Sequence, residues 1–231
     1  MDKLKKIKLP PQHVFQKEDD DNCGPSCLAM IYRFKGRDYK VSKVLKDLNL
    51  EKNGEPTYPA QLARHLNKNN IKTKLTFSNS NIISPAWATW DNKQIIEALK
   101  DWVVLQPNHE WHKFALQTLF YLQEGGIIEL KSYTVEDFKR MLDRGSLIIL
   151  CIDEVWIWGH RMRTHKAETD EIRGKSHGHF VVVTKYHQNT FTVLDPYPTN
   201  IESRHGSYTV EGHQLLNSSL FWASTILEIL S

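Results

Sequence analysis

Hydrophobic and polar positions divide the chain into two unlike halves. After Gly24-Pro25, residues Leu28, Ile31, Tyr32 and Phe34 recur at helical spacing, with proline suited to the first turn and Gly36 beyond the last. Ser42 is placed to cap a short helix over 42–48, and Thr57 to cap another in which Leu62, Ala63 and Leu66 face inward before Asn69-Asn70. Alternation over 71–77 predicts a strand. Helical periodicity returns over 93–104 and 109–123, ends at Gly125-Gly126, and gives way to a short strand over 127–130. Thr134 followed by Asp137 is a capping-box-like start for a helix over 135–142. The continuous apolar run 147–152 fits a strand buried on both faces. Two β-branched runs, 179–186 and 190–194, flank His187-Gln188-Asn189 and predict a hairpin, and 221–230 reads as a closing strand. Segregated elements predict an α+β fold, a helical N-terminal half packed on a mainly antiparallel C-terminal sheet.

Composition narrows the classes. With 231 residues, 40% hydrophobic and 25% charged, the chain has the makeup of a folded domain and is read as a single one over 1–231, its residues 1–22 an extended arm. No apolar run approaches the ~18–20 residues of a membrane span. Thirty Lys+Arg against 27 Asp+Glu leave a net charge of +3 without a basic stripe, so no nucleic-acid partner is expected. No P-loop or Gly-x-Gly-x-x-Gly occurs, and no cofactor is expected. The 11 histidines invite a metal reading, but no Cys-x-x-Cys pair exists and His109-Glu110-Trp111-His112 is one residue tighter than the zinc-helix spacing, so no metal is expected either. Cys23, Cys27 and Cys151 do not make a disulfide framework, which points to a reducing, cytoplasmic setting.

One segment carries chemistry. Cys23 directly precedes a helix, where unsatisfied N–H groups and the helix dipole favour a nucleophilic thiolate. Gly24 beside it would let a substrate carbonyl approach the backbone. Taken alone, Cys23 and Cys27 are more often two small core residues, His179 a core histidine and Asp195 a turn residue before Pro196. Taken together they gain meaning. If the late hairpin forms, His179 at the mouth of one strand and Asp195 at the end of the next meet at one end, and Asp195 can hold the imidazole toward Cys23.

Cys23-Gly24-Pro25-Ser26-Cys27-Leu28-Ala29-Met30, Gly178-His179-Phe180-Val181-Val182-Val183 and Asp195-Pro196-Tyr197-Pro198 resemble the C39-like cysteine peptidases of the papain-like superfamily. The resemblance implies a papain-like fold, Cys23 as nucleophile, His179 as base, Asp195 as its orienter and Gln16 as an oxyanion contact, acting on a peptide or protein substrate. Gln16 stands one residue further upstream than is usual in the bacteriocin-leader peptidases, and far more chain separates Cys23 from His179. The long separation of Cys23 from His179 resembles the longer stand-alone subgroup more than the transporter-linked one. The same three residues would serve an acyltransferase or transpeptidase, and a non-catalytic peptide-binding domain could use tryptophans such as Trp87, Trp90, Trp102, Trp111, Trp156 and Trp158. Residues 159–178, with a net excess of positive charge, form either a lid favouring acidic peptides or an ordinary surface loop.

Overall fold

Period-two alternation along the strands sorts the core into two layers. In the computed structural model, residues 9–17, 21–50, 56–161, 169–199 and 201–231 are described. Their strands are β1 (Thr73–Phe77), β2 (Ile127–Leu130), β3 (Leu147–Asp153), β4 (Gly178–His187), β5 (Thr190–Leu194), β6 (Ser207–Glu211) and β7 (Thr225–Ile229). They form one sheet in the order β2-β1-β7-β3-β4-β5-β6, with β1 and β2 parallel and every other pair antiparallel. Ile149, Phe180, Val182, Leu227 and Ile229 point to one face. Ile148, Leu150, Ile152, Val181, Val183 and Ile226 point to the other. A pleated strand between two apolar layers must alternate in this way.

Helices cover both faces. The first face takes α1 (Cys23–Phe34), α3 (Pro59–Lys68), α4 (Asn92–Leu105) and α5 (His112–Gln123), which bring Leu28, Leu66, Leu99 and Leu119 into its core. The second takes α6 (Val135–Asp143) and α8 (Gly212–Ser219), with Phe138 and Leu215. Short helices α2 (Val41–Asp47) and α7 (Glu154–Trp158) complete the α-helices among the described residues. The expected α+β architecture is present, and no described helix is long and apolar enough to cross a membrane.

Several local expectations need correcting. Lys40 stands at the N-cap of α2 and Tyr58 at that of α3, neither with a side-chain capping bond, so Ser42 and Thr57 do not cap. Thr57 packs instead against Gly24. The strand expected to close the chain is β7, shorter than expected and lying between β1 and β3 inside the sheet. Elements α7, β6 and α8 went unanticipated. By contrast, Thr134 N–H donates to Asp137 Oδ2 at 2.8 Å, as the capping-box reading of α6 requires.

Residues 9–17 of the N-terminal arm are docked. His13 Nε2 lies 2.8 Å from the Asp195 carbonyl, Arg33 Nη1 donates to the His13 carbonyl at 2.8 Å, and Gln16 N–H donates to the Pro196 carbonyl at 2.8 Å.

Candidate active site

Helix α1 reaches the sheet through Cys27, whose Sγ donates to the Phe180 carbonyl of β4 at 3.3 Å. One helical turn back from Cys27 is Cys23, and one residue back from Phe180 is His179. Packing that joins the inner pair therefore brings the outer pair together, with the Cys23 thiol near enough to the His179 ring to favour its charged form. Cys23 is half-buried and opens α1. The Ser26 N–H already reaches the Asn22 carbonyl and Pro25 has no N–H, so the Cys23 and Gly24 amides are the donors at the helix start without an intrahelical acceptor.

The hairpin supplies the other partner. His179 Nε2 is 2.7 Å from Asp195 Oδ1, which leaves Nδ1 for Cys23. Asp195 is fully buried and also accepts the Tyr197 N–H at 2.8 Å and the Tyr208 hydroxyl at 2.6 Å. Burial disfavours a charged His179 ring, but Asp195 and then the Cys23 thiol outweigh it, and the imidazole pKa lies well above the ordinary histidine range. Burial and the Asp195 charge push the Tyr208 hydroxyl up, so it stays a neutral donor. Aromatic rings close the far side of the imidazole. The Trp158 ring centroid is 6.2 Å away, and Tyr197 meets the imidazole edge-on at 6.4 Å.

Glu154, opening α7, is buried behind this group. Burial raises its carboxyl to about 7, with Asp195 and Asp153 adding to the rise and His179 and Arg204 opposing it.

Of the other sequence-predicted residues, Gln16 lies buried on the docked arm beside the Asp195-Pro196 segment. The space that Gly24 leaves is filled by protein: a Cβ there would stand 3.2 Å from the Thr57 Cβ and 3.4 Å from Leu62 Cδ1. Close approach of Thr57, rather than of a substrate carbonyl, accounts for that glycine. Cys27 is fully buried, and burial pushes the Cys27 and Cys151 thiols up. Cys151 itself is half-buried; its odd position on β3 turns it, like Ile149, toward the α1 face.

A cavity of about 390 Å³ adjoins the Cys23 thiol, walled by Tyr58, Trp111, Phe114, Phe180 and Trp222. The other tryptophans are elsewhere: Trp87 and Trp90 stack at 5.3 Å, and exposed Trp156 packs on Phe221. Residues 162–168 of the expected lid lie outside the described residues. Its flanks are joined by the Asp170 N–H donating to the Arg161 carbonyl at 3.0 Å. Sequence reasoning missed Tyr208, His13 and Glu154, and named Trp158 only as a candidate for a peptide groove. Alternation over 207–210 was a usable signal for the first; the others reach the site through contacts that no local pattern announces.

A cysteine opening a helix that packs on a mainly antiparallel sheet, facing a histidine on that sheet, is the layout of the papain-like cysteine peptidases. The profile of the Peptidase_C39 like family matches residues 5–218. The chain belongs to that family. Among solved structures it is similar to the peptidase domain of Streptococcus ComA, a bi-functional ABC transporter involved in a quorum sensing pathway, with 12% identity, TM-score 0.44, and coverage of 95% of this chain and 98% of that one. It is also similar to a structure described as a C39-like peptidase from Bacillus anthracis, with 13% identity, TM-score 0.42 and 98% of each chain covered. No curated protein matches the chain significantly.

Proposed function

We propose that the protein is a cysteine-dependent hydrolase of peptide or amide bonds, with Cys23 as nucleophile, His179 as acid and base, Asp195 as the residue orienting His179, and Gln16 as an oxyanion contact. The supporting observation is the chain of contacts from the half-buried Cys23 thiol through His179 to a buried Asp195 at 2.7 Å. His179 takes the Cys23 proton and the thiolate attacks the substrate carbonyl carbon. The Cys23 N–H and the Gln16 side chain stabilise the negative oxygen that forms. Collapse breaks the C–N bond, and the departing amine takes the proton from His179. Water then loses a proton to His179, attacks the thioester and frees the acid, and that proton returns to the sulfur.

The test is to map by mass spectrometry which cysteine a peptide electrophile labels at neutral pH, alongside release of amine from a peptide library. Cys23 is expected to label first, because burial disfavours the thiolates of Cys27 and Cys151. Cys23→Ala is expected to abolish release. Gln16→Ala is expected to retain some, about 10²–10³-fold reduced, as for loss of one oxyanion donor. First labelling at Cys27 or Cys151, or release by Cys23→Ala, overturns the reading. Product analysis with added amine separates hydrolysis from acyl transfer on the same residues.

A further inference from the structure

The cavity beside Cys23 has a chemistry of its own. Its rings pack on one another before any ligand arrives: Phe114 meets Trp111 edge-on at 5.4 Å and Tyr58 at 5.9 Å. Gly178 keeps it open on the sheet side, since a Cβ there would stand 3.1 Å from the Trp222 ring and 3.3 Å from Cys151 Sγ. At about 390 Å³ it is within the range of about 300–1,000 Å³ typical of small-molecule sites, and larger than one methyl or hydrogen would require. Among the described residues, the charged ones lining it are Asp21 and Glu110, and no lysine or arginine does. An acidic occupant is therefore disfavoured, which runs against the acidic preference considered for residues 159–178.

Orientation follows from the reaction. The leaving amine must take its proton from His179, so it lies on the imidazole side. The cavity touches Cys23, Gly178 and Phe180 but is not lined by the His179 ring. The space next to the sulfur and away from the imidazole belongs to the acyl half, which stays bonded to Cys23 after the amine departs.

We propose that this cavity is the subsite for a large apolar side chain, phenylalanine or leucine in kind, on the acyl side of the scissile bond. The proposal rests on the hydrolase reading for its orientation, and its test separates the two. Blocked pentapeptides Ala-Ala-X-Ala-Ala, with X as Phe, Leu, Gly or Glu, are titrated into the full-length Cys23→Ala protein. Binding is followed by the fluorescence of Trp111 and Trp222 and checked by ligand-observed NMR. Burial of a whole apolar side chain is expected to make the Phe and Leu peptides bind about tenfold tighter than Gly, with Glu no tighter than Gly. Ala223→Leu places a branched side chain at the cavity wall and is expected to erase the difference. Trp111→Ala, at a half-buried position, is a second variant expected to weaken Phe binding should the first misfold.

Equal binding of Phe and Gly peptides, or a Phe preference that survives in every folded wall variant, overturns the subsite. In the unsubstituted protein, selective binding without amine release overturns the hydrolase reading and leaves the cavity as a side-chain receptor. Amine release with no side-chain preference does the reverse.

Discussion

Asp195 differs from an ordinary strand-ending aspartate in what its carboxylate accepts. One oxygen takes His179 Nε2 and the Tyr197 N–H, the other the Tyr208 hydroxyl, all without solvent. Its charge is what outweighs burial and keeps the His179 proton in place above the ordinary histidine range. The sign follows: an imidazolium held by Asp195 is lost only as pH climbs past that range, so loss of the charge brings the loss to lower pH. Asp195→Asn is expected to lower kcat/KM by about 10²–10⁴-fold and to move its alkaline limb downward. A pH–rate profile decides it, and an unmoved limb would show that another group holds the proton. At this scale much of the site was readable, because Cys23, His179 and Asp195 each stand in a short local pattern. Gly24 was misread for a physical reason: a glycine's lack of a side chain says that something comes close, and not whether it is substrate or Thr57.

Elements were legible where their signals were local. The expected hairpin forms as β4 and β5 around Gln188, a non-glycine residue at φ 54°, and so brings His179 to Asp195. Helices α4 and α6 follow their periodicity within a residue or two. Element α7 is a single turn, too short for periodicity to reveal. The start of α1 is where an element-scale substitution is most informative. Gly24→Ala adds a methyl group against Thr57 and Leu62, and the strain has two outlets: displacement of the segment leading into α3, or displacement of the turn carrying Cys23. The variant is expected to lose about 1–3 kcal/mol of stability, as overpacked cores do, with part recovered by adding Thr57→Ala. Urea unfolding of the two variants measures both effects. Equal stability of Gly24→Ala and the parent would mean that α3 yields freely there.

For the molecule as a whole, Glu154 sets a pH dependence of stability. Its carboxyl value rises from 4.5 to about 7 on folding, mainly through burial. Folding therefore favours its protonated form. The associated stability is full below pH 4.5 and is lost as pH rises through about 7, a change on the order of 3 kcal/mol. Glu154→Gln keeps the shape without the charge, so the variant should gain on the parent between pH 5 and pH 8. Denaturant unfolding at both values tests this, and a pH-independent difference would show that Glu154 ionises as freely in the fold as out of it. The order of strands was the least legible feature, because pairing between distant segments leaves no trace in local alternation. Its joint is β7, seated between β1 and β3, with β1 on the side of the early strands and β3 leading to the His179 hairpin. During synthesis at about 5–20 residues per second, roughly eight to thirty seconds separate the end of β1 from the end of β7. Until then the early strand pair β1–β2 and the late strands β3–β6 lack the strand that joins them into one sheet. A nascent chain is thus denied its completed sheet, and the scaffold beneath Cys23 and His179 is finished only after β7 has joined its two sides.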